Sequence, residues 1–119
     1  MKDSLAICES VVRSLDKHKA TDIAAIGVSE LTVITDYFVM AEGGSATHVR
    51  SLADHVEQEL AAEGVEVRRT EGYQESKWIL LDLGGVVVHL FQPETRRYYD
   101  LERLWKDGVQ LDVTPWVTD

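Results

Sequence analysis

The spacing of apolar residues predicts three amphipathic helices. The first covers residues 4–18, with Asp3 or Ser4 as its N-cap, and the third runs from about Glu94 to Lys106. The second begins after a break at residues 42–45 and ends at residues 63–64, where a glycine is typical of a helix C-terminus. Its apolar stripe consists of Val49, Leu52, Ala53, Val56 and Leu60. Such a stripe is what a helix packed on a sheet requires.

Between these helices the chain has the patterns of β-strands. The predicted strands are residues 22–28, 32–41 and 65–70, followed by two apolar strands between Trp78 and Phe91 that are joined at Gly84-Gly85. The order α-β-β-α-β-β-β-α predicts an α/β fold, a mixed β-sheet with packed helices. We predict one domain over residues 1–108 and a C-terminal tail over residues 109–119. The tail has no regular period, and the sequence does not decide whether it packs on the domain.

The two hairpin strands have unlike faces. Side chains alternate along a strand, so Trp78, Leu80 and Asp82 share one face, and Ile79, Leu81 and Leu83 share the other. By the same rule Val87, His89 and Phe91 oppose Val86, Val88 and Leu90. One face is aliphatic and the other carries Trp, Asp and His. If the helices cover the aliphatic face, the polar and aromatic face is left to receive a partner.

The net charge of the chain indicates which class of partner the protein can bind. The chain of 119 residues has 21 acidic and 12 basic residues, a net charge of −9. This charge repels a phosphate backbone, so direct binding to nucleic acid is not expected as the main function, whereas a basic protein would fit the surface. The alternative is that the acidic balance only keeps the protein in solution. Hydrophobic residues make up 45% of the chain, without a membrane-length apolar run or a signal peptide, so we expect a soluble cytoplasmic protein.

Residues capable of catalysis or metal binding do not form a recognisable set. The single cysteine, Cys8, is predicted to be a buried apolar residue, and the four histidines lack metal-ligand spacing. Gly43-Gly44-Ser45 before a helix is typical of phosphate-binding turns and of nucleotidyltransferases. Those enzymes need paired carboxylates to hold magnesium, whereas only Glu66 and Asp82 lie in the strands that follow. We therefore expect no enzymatic activity, no cofactor and no metal, with nucleotide binding as an alternative.

Several motifs resemble one known family. They are Asp22-Ile23, LTVITDYFVMAEGGS from Leu31, ADH from Ala53, Glu71-Gly72, and LLDLGGVVVHLFQPETRRYYDLERLW up to Trp105. In this order they are similar to the ribosomal silencing factors, the Iojap-like family. The resemblance implies a nucleotidyltransferase-like α/β fold. It also implies binding to the large ribosomal subunit at ribosomal protein L-fourteen, which blocks joining of the small subunit and represses translation when nutrients are limiting.

The open sheet face supplies the candidate contact residues. We predict Trp78, Asp82 and His89 as the centre of a partner-binding site. Four further candidates are Leu80, Asp36, Tyr37 and Tyr99. Tyr98, Leu101 and Trp105 are expected in the core. A homodimer formed through the same face remains a second alternative, because the resemblance also implies self-association and an exposed tryptophan on a sheet suits an interface.

Overall fold

The computed structural model describes residues 3–118. The helices are α1 (Ser4–Lys17), α2 (Ala46–Ala62), α3 (Pro93–Tyr99) and α4 (Leu101–Leu104). The strands are β1 (Thr21–Gly27), β2 (Tyr37–Glu42), β3 (Arg69–Glu71), β4 (Trp78–Asp82), β5 (Val86–Phe91) and β6 (Val109–Gln110). A short 3-10 turn, Thr114–Trp116, lies near the C-terminus. The predicted α/β class with a mixed sheet and packed helices is confirmed.

The six strands form one sheet in the order β3-β4-β5-β2-β1-β6. Strands β2 and β5 at its centre are parallel, and every other neighbouring pair is antiparallel. The hairpin of β4 and β5 turns at Gly84-Gly85 as predicted, with the amide of Leu83 bonded to the carbonyl of Val86. Gly84 has φ +90°, a conformation that favours glycine. This hairpin therefore contributes β5 to the central parallel pair.

Helices α1 and α2 cover the aliphatic face of the sheet. Asp3 caps α1 by accepting a hydrogen bond from the amide of Ala6, and Ser45 caps α2 by accepting one from His48. The predicted α2 stripe is entirely buried, and so are these aliphatic hairpin residues: Ile79, Leu81, Leu83, Val86, Val88 and Leu90. Cys8 is fully buried in the same core. The alternation along the hairpin thus predicted the helix-covered face correctly.

The opposite face carries a second, smaller core. Its buried members are Ile26, Val28, Phe38, Met40, Val87 and Phe91. Trp78, Leu80, Leu101 and Trp105 pack against them and are only partly buried. The α3–α4 segment therefore covers part of this face, and the remainder around Trp78 and Leu80 stays accessible.

Three predicted elements differ from the structure. The third helix is not continuous, because Asp100 takes the left-handed conformation (φ 49°) and separates α3 from α4. The strand predicted from residue 32 begins only at Tyr37. Val33 and Ile34 lie in an exposed loop, because no neighbouring strand pairs with them despite their high β-propensity. The strand predicted over residues 65–70 shrinks to β3, at the sheet edge.

The C-terminal residues pack on the domain. Strand β6 pairs with β1 through Ile26 and Gly27. Leu111, Val113, Trp116 and Val117 are partly buried against the helix-covered core. Over residues 3–118, no helix is long and apolar enough to cross a bilayer.

Candidate functional site

A hydrogen bond between two side chains organises the exposed part of the second face. Trp78 begins β4, and His89 lies in β5, whose residue Leu90 pairs with Ile79. The indole Nε1–H of Trp78 donates to Nδ1 of His89 at 3.0 Å. An imidazole nitrogen that accepts a hydrogen bond carries no hydrogen of its own. The proton of the neutral His89 ring is therefore on Nε2. The bond fixes the orientation of a half-buried indole.

His89 is a buried residue. It is 5% exposed, and burial lowers the pKa of its imidazole to about 4. Its Nε2 atom has no hydrogen-bond partner among the described residues. His89 is therefore neutral at physiological pH, and its main contact toward the surface is the indole of Trp78 rather than solvent.

Aromatic rings surround this pair. The rings of Phe38 and Phe91 lie 5.2 Å and 6.2 Å from that of His89, and Trp105 lies 4.9 Å from Phe38. On the outer side, the ring of Tyr99 lies 4.8 Å from Trp78. The result is a continuous aromatic layer that runs from the buried core to the exposed Tyr99.

Asp82 and Leu80 share the strand face of Trp78, as alternation requires. Both are partly exposed. The Asp82 carboxylate accepts a hydrogen bond from the amide of Gly84 at 2.9 Å, so it also stabilises the hairpin turn. Thus the predicted residues Trp78, Leu80, Asp82 and His89 lie on one face of one hairpin, and Tyr99 adjoins them from α3.

Asp36 and Tyr37 lie elsewhere. Asp36 is exposed and accepts a hydrogen bond from the hydroxyl of Ser4 in α1 at 2.7 Å. Tyr37 is partly buried against the helix-covered core, and burial raises the pKa of its hydroxyl. These two residues are not brought together with Trp78.

The exposure of Tyr98 and the burial of Arg96, both in α3, were not predicted from the sequence. Tyr98, expected in the core, is 82% exposed, because its side of α3 faces away from the sheet. Arg96 is instead buried, at 8% exposure. Its guanidinium donates to the carboxylates of Glu42 and Glu102 at 3.2 Å and 2.6 Å and to the carbonyl of Asp22 at 2.6 Å. This cluster anchors α3 and α4 to β1 and β2.

The Gly43-Gly44-Ser45 turn is satisfied internally. The amide of Gly44 donates to Nδ1 of His48, and Ser45 accepts from the amide of His48. The other ring nitrogen of His48 lies 3.0 Å from the carbonyl of His18. These amides are thus engaged by the protein itself, as in an ordinary strand-to-helix connection. No group of three His, Cys, Asp or Glu residues within 3–118 could hold a metal ion.

Comparisons with known proteins agree on one family. The family model described as "Ribosomal silencing factor during starvation", RsfS, matches residues 1–119. The ribosomal silencing factor RsfS of Halalkalibacterium halodurans is 34% identical over 90% of this chain and 92% of its own.

A eukaryotic relative and a solved bacterial structure are also similar to this chain. The mouse protein named for mitochondrial assembly of the ribosomal large subunit is 33% identical over 82% of this chain and 44% of its own. A crystal structure of a Chromobacterium violaceum protein superposes with a TM-score of 0.86 at 34% identity, covering 88% of each chain. The family model matches the whole chain, and a solved structure of similar sequence shares its fold, so this protein belongs to the ribosomal silencing factor family.

Proposed function

We propose that this protein binds the large ribosomal subunit through ribosomal protein L-fourteen and thereby prevents the small subunit from joining. In this role it represses translation under nutrient limitation and acts in the cytoplasm. The contact surface we propose consists of Trp78, Leu80, Asp82 and Tyr99, with His89 behind them. Asp36 and Tyr37, at the opposite side of the sheet, are proposed as peripheral contacts.

Family membership supports the ribosome as the target. The related proteins are named as ribosomal silencing factors, and the mouse relative is named for the ribosomal large subunit. A net charge of −9 suits a basic ribosomal protein better than exposed RNA. The proposed mechanism is steric, so it requires occupation of a surface and no bond-making step. We accordingly propose that the protein is not an enzyme.

The observation on which the proposal chiefly rests is the orientation of Trp78. A half-buried indole that is held by His89 and flanked by Tyr99 loses little side-chain freedom when a partner covers it. Interface residues of this kind, aromatic and central, contribute most of the binding energy in many complexes. The carboxylate of Asp82 at the edge of the face would then orient a basic partner.

Equilibrium binding of purified large subunits to the Trp78→Ala variant tests this proposal. We expect affinity to fall by roughly 30-fold or more, the equivalent of about 2 kcal/mol for a central aromatic contact. Leu5→Ala is the control, because Leu5 is 47% exposed on α1 and distant from this face. Circular dichroism must show that both variants are folded. Equal affinity of folded Trp78→Ala and parent protein would contradict the assignment of this face, and unfolding of Trp78→Ala would mean that the residue serves the core.

A further inference from the structure

A groove with aromatic and acidic walls opens next to Trp78. It lies between α3 and the residues that precede β4, and it encloses about 490 Å³. Trp78, Tyr98 and Tyr99 supply the aromatic walls, and Glu75, Glu94 and Lys77 supply the charged groups. The ring of Tyr99 stands 4.8 Å from Trp78 and 5.0 Å from Tyr98, so three rings form one continuous lining.

The two walls of the groove are held at a fixed separation. The backbone amide of Gln92, just before α3, donates to the carbonyl of Lys77 at 3.0 Å. The side-chain amide of Gln92 donates to the carbonyl of Ser76 at 3.1 Å, and Ser76 is itself fully buried. On its opposite side α3 is held by the buried Arg96. A partner that enters the groove therefore meets a surface that needs little rearrangement.

The charges in the groove favour a cation. Glu75 and Glu94 are exposed, and neither forms an ion pair or a side-chain hydrogen bond with another residue in 3–118. Among residues 3–118, Lys77 is the only basic residue that lines the groove, so this lining has a net negative charge. An anion such as a phosphate would be repelled. A purely apolar side chain would take water from two carboxylates without pairing them, which costs free energy.

We infer that this groove receives an arginine side chain of the basic ribosomal partner. A guanidinium is planar, so it stacks on aromatic rings, and its N–H groups bind carboxylates in pairs. Both kinds of contact are available here, because Trp78 and Tyr99 offer aromatic rings and Glu75 and Glu94 offer carboxylates. The inference rests on the proposed function, because it specifies which group of the partner the face around Trp78 recognises.

A charge-neutral double variant tests the inference on the intact subunit. We expect Glu75→Gln with Glu94→Gln to weaken binding of large subunits roughly tenfold, with a smaller dependence on salt. The matched control is Glu57→Gln with Glu66→Gln, which makes the same change in net charge at exposed residues outside the groove. Equal weakening by the two double variants would overturn the inference. Failure of the parent protein to bind large subunits would contradict the proposed function instead.

A spectroscopic measurement tests the groove without the ribosome. N-acetyl-arginine amide, added to ¹⁵N-labelled protein, should shift the indole Nε1–H signal of Trp78, assigned with Trp78→Phe. N-acetyl-citrulline amide, which has nearly the same shape but no charge, should not shift it. The arginine response should be lost in the Glu75/Glu94 double variant. Equal shifts with the two amides, no shift with either, or a stronger response to N-acetyl-lysine amide would each overturn the inference of an arginine site.

Discussion

Replacing Arg96 by methionine should unfold the protein at a much lower temperature. Methionine keeps most of the length and apolar volume of the side chain but removes the guanidinium. Glu42 and Glu102 then lose their ion pairs, and the carbonyl of Asp22 loses its donor. The carboxylate of Glu42 is the critical group, because it remains in a site where its side chain is only 14% exposed.

The magnitude follows from the burial of each partner. Breaking a buried ion pair by removing one member costs about 3–5 kcal/mol, because the other charge is left uncompensated. Arg96 is 9% exposed as a side chain and Glu42 is 14% exposed, which places this pair at the lower end of that range. Glu102 is 34% exposed, so its share is about 1 kcal/mol or less. We expect the free energy of unfolding to fall by about 3 kcal/mol, or roughly 10 °C in Tm for a domain of this size.

Urea denaturation followed by circular dichroism measures this change. Arg97→Met is the matched control, since Arg97 is the neighbouring arginine of α3 and is exposed, and it should change stability by less than about 0.5 kcal/mol. Adding Glu42→Gln to Arg96→Met should restore part of the loss, because it removes the unpaired charge. A loss below about 1 kcal/mol in Arg96→Met, or an equal loss in Arg97→Met, would refute this account of the cluster.

Two further predictions follow from buried titratable groups. His89 has a pKa of about 4 in the folded protein against 6.5 as the ordinary value, so the unfolded chain binds a proton first as pH falls below 6.5. The free energy of unfolding should therefore fall by about 2 kcal/mol between pH 7 and pH 5. In urea titrations the His89→Gln variant should lack this fall, and the same dependence of stability on pH in both proteins would contradict the prediction. Burial raises the pKa of the Cys8 thiol to about 12, against 9.0 ordinarily, so the reactive thiolate is about 1,000-fold rarer at pH 7.5. The thiol should therefore react about 1,000-fold more slowly with a disulfide reagent in the folded protein than in urea. Comparable rates would show that Cys8 is accessible.

The parts of the fold that sequence alone predicts are those with local causes. Side chains of a strand alternate whatever its surroundings, so the separation of Trp78 and Leu80 from Ile79 and Leu81 could be read directly from the hairpin. The same holds for the apolar stripe of α2. None of these features requires knowledge of distant residues.

The features that could not be predicted depend on partners far away in sequence. Arg96 bonds Asp22 and Glu42, which precede it by 74 and 54 residues. A bulge in β1 near Asp22 (φ 51°) places the Asp22 carbonyl within reach of Arg96. The pattern of residues in α3 gives no indication of this contact. Without these partners an arginine in an amphipathic helix is expected to be exposed, and Tyr98 is expected to pack inward.

The break after α3 had only a weak local signal. Asp100 is neither glycine nor proline, but aspartate tolerates the left-handed conformation better than most residues. The break turns Leu101 and Trp105 onto the second core and leaves Tyr98 and Tyr99 beside Trp78. The predicted contact residues on the hairpin were thus brought together by local geometry, whereas the acidic and aromatic groove next to them depends on tertiary packing.

Subunit joining in the presence of this protein tests the central claim most directly. Purified large and small subunits would be mixed with the parent protein or with Trp78→Ala at the same salt concentration, and the particles separated on sucrose gradients. The account predicts that the parent protein migrates with free large subunits and reduces the joined particle, and that Trp78→Ala does neither at the same concentration. Undiminished joining with the parent protein bound to neither subunit would contradict it.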